Sequence, residues 1–300
     1  MKEKELIQTI KTILNSEYIG DDCAYLKDEY ITVSQDSLVE DVHFSLKYIT
    51  AYKLGWKSVM VNISDICASG ARPKYLTIAL SLPDYINEKF VKDFYMGAKD
   101  AAKDVEIVGG DITGSDKLYI SVTAIGSTKN MKISSRKNAK PDFAVIVSGE
   151  LGNSAMGLKI LSGEKHFSDI KLEQFFINSH LMPEAQRDFS KQIASTIGCD
   201  YAMMDTSDGL CDALIQIAQS SNLTISVDTS KIPHNEFVDM DTVLYGGEDY
   251  QLVAVVPENI LNRLSNYYLI GKAKKGFSGI EIDGKFYFNI DDKIFNHFKK

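Results

Sequence analysis

The sequence is poor in the residues that staple a small scaffold or cross a bilayer. It has four cysteines in 300 residues, Cys23, Cys67, Cys199 and Cys211. They are scattered, form no Cys-x-x-Cys pair and make no ligand cluster with the five histidines, which argues against a thiolate zinc site and against a disulfide framework. Reduced thiols in the cytoplasm are the expectation. No stretch approaches the ~20 apolar residues of a membrane helix, and the amphipathic residues 1–14 lack the unbroken apolar centre of a signal peptide. Positive charge is also in short supply. Thirty-three Lys and Arg face 41 Asp and Glu, a net charge of -8, so no field favours a nucleic-acid backbone. The chain has no Gly-x-x-x-x-Gly-Lys-Ser/Thr and no protein-kinase signature set, so any nucleotide site is built differently. Gly152-Asn153-Ser154-Ala155-Met156 lacks the final glycine of a nucleophile elbow, which makes a serine hydrolase a poor reading.

What is present suits a globular protein, with 44% hydrophobic and 25% charged residues. Residues 30–33 and 39–44 read as strands on either side of Ser34-Gln35-Asp36-Ser37. Residues 51–68 read as a helix, 75–82 as a buried strand ending at Pro83, and 88–103 as a second helix. Strands at 105–108, running into Gly109-Gly110-Asp111, and at 118–125 complete an alternating first half. The polar, basic stretch from Ser127 to Asp142 marks a boundary, giving domains of 1–138 and 139–300. In the second half 143–148, 202–204 and 251–256 read as strands. Residues 154–161 read as a helix, and Leu210, Ala213, Leu214, Ile217 and Ala218 share one face of another.

The most informative pattern is a recurrence of carboxylates where apolar segments end. Gly20-Asp21-Asp22, Asp36, Asn62-x-x-Asp65, Gly109-Gly110-Asp111, Asp205-x-Ser207-Asp208 and Gly246-Gly247-Glu248-Asp249 all show it. Asp65 is the sharpest case, because the helix around it looks buried and an ionised carboxylate there is costly unless paired or metal-bound. Hard oxygen ligands with too few basic neighbours suit several Mg²⁺ ions rather than zinc. Each acid taken singly could cap a helix or shape a turn. Asp205-Thr206-Ser207-Asp208-Gly209 leads a strand into a helix, where free amides favour phosphate, although Ser207 or Asp208 as an ordinary N-cap is a competing reading. Arg136 could grip a phosphate tail or be a solvated linker charge. His43 reads more readily as a satisfied strand histidine than as a ligand contact.

Taken in order, six segments resemble the thiamine-monophosphate kinase family of the aminoimidazole-ribonucleotide-synthetase-like ATP-binding superfamily. They are Ile19-Gly20-Asp21-Asp22-Cys23-Ala24, the run Asp36 to Phe44, Val61-Asn62-Ile63-Ser64-Asp65-Ile66, Gly109-Gly110-Asp111-Ile112-Thr113, Asp205-Thr206-Ser207-Asp208-Gly209-Leu210 and Gly246-Gly247-Glu248-Asp249-Tyr250. The resemblance implies a two-domain PurM-like fold, an N-terminal α/β domain with a dimer-forming sheet followed by an α+β domain, with the active site between them. It implies metal ligation by Asp22, Ser34, Gln35, Asp36, Asp65, Asp111, Asp205 and Asp208. ATP contacts are implied for Tyr95, Gly110, Asp111, Arg136 and Ser207, and thiamine phosphate contacts for His43, Glu248 and Phe295. Asp36, Asp111 and Asp208 are the residues expected to carry the chemistry. Asp41 departs from the pattern, since glycine is frequent there. The implied reaction is in-line transfer from ATP to thiamine monophosphate with Mg²⁺ by a cytoplasmic homodimer. The alternatives are a related ATP-dependent enzyme acting on another small acceptor, or a nucleotide-binding regulator without turnover.

Overall fold

The computed structural model describes residues 3–290 and 293. Helix α1 (Glu3–Leu14) precedes strands β1 (Ala24–Leu26) and β2 (Ile31–Val39), helix α2 (Ala51–Ala68), β3 (Arg72–Leu82), α3 (Glu88–Ala102), β4 (Glu106–Gly114) and β5 (Tyr119–Ser127). These strands form one sheet in the order β1-β2-β5-β3-β4. β3 and β4 are parallel and α3 makes the crossover between them, as a parallel pair requires. Along β3 the residues on one side, Leu76, Ile78 and Leu80, are buried. The alternate side of the sheet, with Thr77, Ala79, Ser121 and Thr123, is only half-covered.

Two strand expectations need correction. β2 does not break at Ser34-Gln35-Asp36-Ser37, because it pairs without interruption with β5 from Ile31↔Ser127 to Val39↔Tyr119. Residues 40–44 form a turn instead, in which Asp41 takes φ 59. That is the left-handed region where glycine is the least strained residue, so the departure at Asp41 has a backbone correlate. The strand expected to end at Val108 likewise continues through Gly109-Gly110-Asp111 to Gly114. A Cβ on Gly110 would lie 1.8 Å from the Ile78 carbonyl oxygen, so strand packing alone demands glycine there.

The second half runs β6 (Ala144–Val147), α4 (Asn153–Leu161), α5 (Ile170–Leu181), α6 (Arg187–Thr196), β7 (Ala202–Asp205), α7 (Leu210–Ser220), β8 (Thr224–Val227), α8 (Met240–Tyr245), β9 (Leu252–Val256), β10 (Tyr268–Lys274), β11 (Gly279–Ile282) and β12 (Lys285–Tyr287). Its sheet has the order β12-β11-β8-β10-β6-β9-β7 and is antiparallel except for β8 with β11. The two sheets share a core. Ile146, Met203, Leu252 and Ala254 pack into the same apolar cluster as Leu54, Ile63 and Ile66 of α2. Helix α2 therefore has apolar residues around much of its circumference, and its side chains reach both halves of the chain. Thr50 caps it by accepting from the Lys53 amide at 3.3 Å.

Candidate active site

The acidic residues of α2, β2 and β7 meet where the two sheets approach. Carboxylate oxygens of Asp22, Asp65 and Asp205 all lie within 4.8 Å of one another. Asp22 comes from the loop before β1, Asp65 from the buried face of α2, and Asp205 from the end of β7. Hydroxyls brace them. Ser34 donates to Asp65 Oδ2 at 2.5 Å, Ser64 to Asp205 Oδ2 at 2.6 Å, and Ser207 to Asp205 Oδ1 at 2.8 Å. Burial, with Asp36, Asp205 and Asp22 adding repulsion, pushes Asp65 well above the usual carboxylate range. Burial and then Asp22 push Asp205 up to about 7.

Arg136 brings one positive charge to this group. Its guanidinium donates to Asp22 Oδ1 at 2.9 Å and to Gln216 Oε1 at 2.6 Å, and Gln216 in turn donates to Asp212 at the start of α7. The side chain is 16% exposed, so the reading of Arg136 as a solvated linker charge is wrong. Asp21, the neighbour of Asp22, has a different job. It accepts from the Ser135 hydroxyl at 2.7 Å and the Arg136 amide at 2.8 Å, which fixes the turn carrying the guanidinium. One guanidinium against three clustered carboxylates, Asp65 and Asp205 braced by hydroxyls, fits a hard divalent cation, because all the donors are oxygen and buried like charges are otherwise expensive.

Beside this group lies a cavity of about 540 Å³, lined among others by Asp36, His43, Tyr48, His180, Asp208 and Glu248. Its volume is that of a small-molecule site. A larger hollow of 790 Å³ between Arg72, Lys103 and Arg187 includes none of the acidic motifs, so volume alone is a poor guide here. Asp36 joins the cavity to the carboxylates. It lines the cavity, its charge raises the Asp65 pKa, and its amide donates to Asn62 Oδ1 at 3.1 Å. His43 accepts the Val39 amide at Nδ1 (3.0 Å), which leaves the proton of the neutral ring on Nε2.

Ser207 and Asp208 sit between β7 and α7. The N-cap of α7 is Gly209, and Ser207 spends its hydroxyl on Asp205, so the capping alternative for Ser207 fails. The Gly246–Tyr250 segment docks on this loop through the Glu248 amide, which donates to the Ser207 carbonyl at 2.7 Å. Gly247 permits the approach, since a Cβ there would be 2.4 Å from the same oxygen. Asp249, by contrast, is structural. It accepts from the Gly152 and Ser154 amides at 2.6 and 2.8 Å and so occupies the start of α4.

Several predicted site residues stand apart. Gln35 has the opposite strand parity to Ser34 and Asp36, and its side chain bonds Ser121 and Thr123 on the half-covered face. Asp36, Val122, Ile78 and Gly110 form one cross-strand row, which puts β4 three strands from β2. At about 4.8 Å per strand, Asp111 is about 14 Å from Asp36 and cannot share an ion with it in one chain. Tyr95 is on α3, half-buried with its ring edge-on to Phe94, and does not line the cavity. Phe295 lies outside the described residues.

Two residues escaped the sequence reading. Lys57 of α2 has its side chain 1% exposed and its Nζ 3.0 Å from Glu248 Oε1. His180, at the end of α5, has Nδ1 3.4 Å from Glu248 Oε2 and 3.1 Å from the Ser154 hydroxyl. Burial, helped by Lys57, lowers His180 to about 4, so its ring is neutral near pH 7. The argument that singled out Asp65, a charge inside an apolar helix, applied equally to Lys57. His180 gave no such signal.

Comparison with known proteins agrees with this arrangement. Residues 20–128 match the model of the AIR synthase related protein, N-terminal domain. The thiamine-monophosphate kinase of Aquifex aeolicus (strain VF5) is 36% identical, with 98% of this chain and 97% of that protein aligned. The same-named protein of Bacillus subtilis (strain 168) is 35% identical over 85% of this chain and 84% of its own. A solved structure described as AaThiL complexed with AMPPCP and TMP superposes with a TM-score of 0.90 at 35% identity, covering 99% of this chain and 97% of that one. With its acidic motifs gathered beside one cavity and its relatives aligned nearly end to end, the chain belongs to the thiamine-monophosphate kinase family.

Proposed function

We propose that this protein transfers the γ-phosphoryl group of ATP to thiamine monophosphate, giving thiamine diphosphate. The observation that carries the reading is the junction at Asp36, where a cavity with Asp36, Asp208 and Glu248 on its wall meets a cluster of three more carboxylates. Val42, Val61, Ala155 and Leu158 supply apolar wall for a flat heterocycle, and Glu248 supplies an acceptor for its N–H groups. The solved relative described with AMPPCP, an ATP analogue, and TMP supports the same pair of reactants.

The acceptor needs little help to attack. A phosphate monoester has a second pKa of ~6, so near neutral pH its oxygen is already largely deprotonated and no strong general base is required. The difficulty is repulsion between two polyanions. Asp22, Asp65 and Asp205, with Ser34, Asp36 and Asp208 alongside, would hold Mg²⁺, which when bound lowers that repulsion and the charge on the transferring group. Arg136 offers its planar fork, and the first amides of α7, beside Ser207, offer donors to fix phosphate oxygens in line. Exclusion of water falls to the closely packed Gly246–Tyr250 segment and the 40–44 turn beside the cavity.

The placement of Asp111 extends the proposal. β4 is an open edge strand whose Val108 and Ile112 are 55% and 60% exposed, and the sheet face carrying Asp111 is half-covered. We take a second copy of the chain to cover this surface, bringing its Tyr95, Gly110 and Asp111 to the site of the first. The passage from one sheet to the other between Ser127 and Ala144 is the natural place for a domain boundary at 138/139, in a cytoplasmic enzyme.

The direct test is incubation of purified protein with ATP, Mg²⁺ and thiamine monophosphate, with chromatography of the products and parallel arms containing other phosphate and amine acceptors. Thiamine diphosphate formed in step with ADP is expected. ATP consumption without that product, or faster turnover of another acceptor, contradicts the reading.

A further inference from the structure

Helix α2 buries a lysine in the middle of its apolar length, and its one ion-pair partner among the described residues lies in the other half of the chain. Lys57 Nζ is 3.0 Å from Glu248 Oε1, but the approach angle makes no hydrogen bond, and among the described residues the ammonium has no other partner. A buried ammonium is costly unless its charge is matched, so the position needs a reason. Glu248 is fixed from several sides. Its backbone sits at φ 66, a left-handed conformation unusual for a residue with a side chain, and its amide is tied to the Ser207 carbonyl. Its second oxygen faces neutral His180, and His180 is edge-on to Tyr48 with ring centroids 6.4 Å apart. Glu248, His180 and Tyr48 all line the cavity.

We propose that Lys57 is a positioning residue for acceptor recognition, holding the Glu248 carboxylate in place from across the two sheets so that it presents an acceptor oxygen to the heterocycle. This rests on the reading of Glu248 as an acceptor contact. Burial alone would raise the Glu248 pKa, but the opposing charges, Lys57 foremost, hold the group below its ordinary value. Because Lys57 already balances its charge, the pair suits a heteroaromatic edge rich in N–H donors better than a bare cation. The chemical class selected is an amino-substituted nitrogen heterocycle.

The test is a double-mutant cycle of Lys57→Met and Glu248→Gln, with Lys57→Arg as the conservative variant, read as KM for thiamine monophosphate, KM for ATP, kcat and melting temperature. Lys57→Met is expected to raise the acceptor KM tenfold or more while the ATP KM stays within about twofold, and Lys57→Arg to recover much of the loss. In the Glu248→Gln background, Lys57→Met should add less than threefold. Should the single variant not fold, the comparison of Glu248→Gln with the charge-neutral double variant carries the same information, since it measures whether Lys57 acts through Glu248. Equal changes in both KM values, or full additivity in the cycle, overturn the inference. If wild type makes no thiamine diphosphate, the functional reading itself fails; if wild type is active and the variants match it, only the role of Lys57 fails.

Discussion

Stripping divalent cations should make the protein lose stability as pH rises, and the acidic cluster sets the size of the loss. Asp205 is pushed up to about 7 from an ordinary 3.8. A carboxyl with a raised folded-state pKa binds its proton more tightly when folded. Its contribution is therefore fully present below pH 3.8, lost as pH climbs toward 7, and flat beyond. Between about pH 5 and pH 7 two units are lost at roughly 1.36 kcal/mol each, or about 2.7 kcal/mol. Asp65 is shifted the same way and adds to the slope. Asp249 is also pushed to about 7 by burial, but it anchors α4 and has no reason to respond to metal. Urea denaturation across this range, with EDTA or with millimolar Mg²⁺, separates the contributions. In EDTA wild type should lose a few kcal/mol on going to pH 8, and Asp205→Asn about 2.7 kcal/mol less. Mg²⁺ should restore wild type at pH 8 and help the variant little. A wild-type slope unaffected by Mg²⁺ and identical in Asp205→Asn would refute the assignment of these carboxylates to a cation site.

Asp36→Ala and Asp208→Ala should each abolish most turnover with the circular dichroism spectrum unchanged, since both line the cavity and neither belongs to the apolar core. If a second copy completes the site, mixing inactive Asp36→Ala and Asp111→Ala proteins through an unfold-and-refold step should return up to about a quarter of wild-type activity, with half the dimers carrying one intact site of two. No recovery would mean that the two residues serve one chain. Arg136→Met should cost about 3–5 kcal/mol in metal-free denaturation, since it strands a mostly buried Asp22, and should raise the KM for ATP. Arg136→Lys keeps the charge without the fork and should recover stability more than nucleotide affinity.

Much of the site was legible because buried charge is conspicuous. Asp65 stands out in a helix with apolar residues on nearly every side, and the structure places it beside Asp22 and Asp205 from distant segments. The local roles were harder to read. Nothing in Asp21-Asp22 distinguishes the residue that clamps a turn from the one that faces Arg136, nor in Glu248-Asp249 the cavity carboxylate from the helix anchor. Strand alternation, which turns Gln35 away from Ser34 and Asp36, is a two-residue pattern that an interrupted strand assignment concealed. The glycines before Asp111 read as the end of a strand, yet strand pairing continues through them, the Ile78 carbonyl alone explains Gly110, and only the sheet order reveals how far Asp111 lies from Asp36. The partner of Lys57 depends on packing between the two sheets, which no local pattern encodes.

The most direct measurement is a crystal structure with Mn²⁺ in place of Mg²⁺, AMPPCP and thiamine monophosphate, with anomalous scattering used to find the ions. Peaks are expected among Asp22, Asp65 and Asp205, and beside Asp36 close to Asp111 of the proposed second copy, each touching phosphate oxygens. Both reactants bound in the cavity with no anomalous peak at any of these carboxylates would contradict the account.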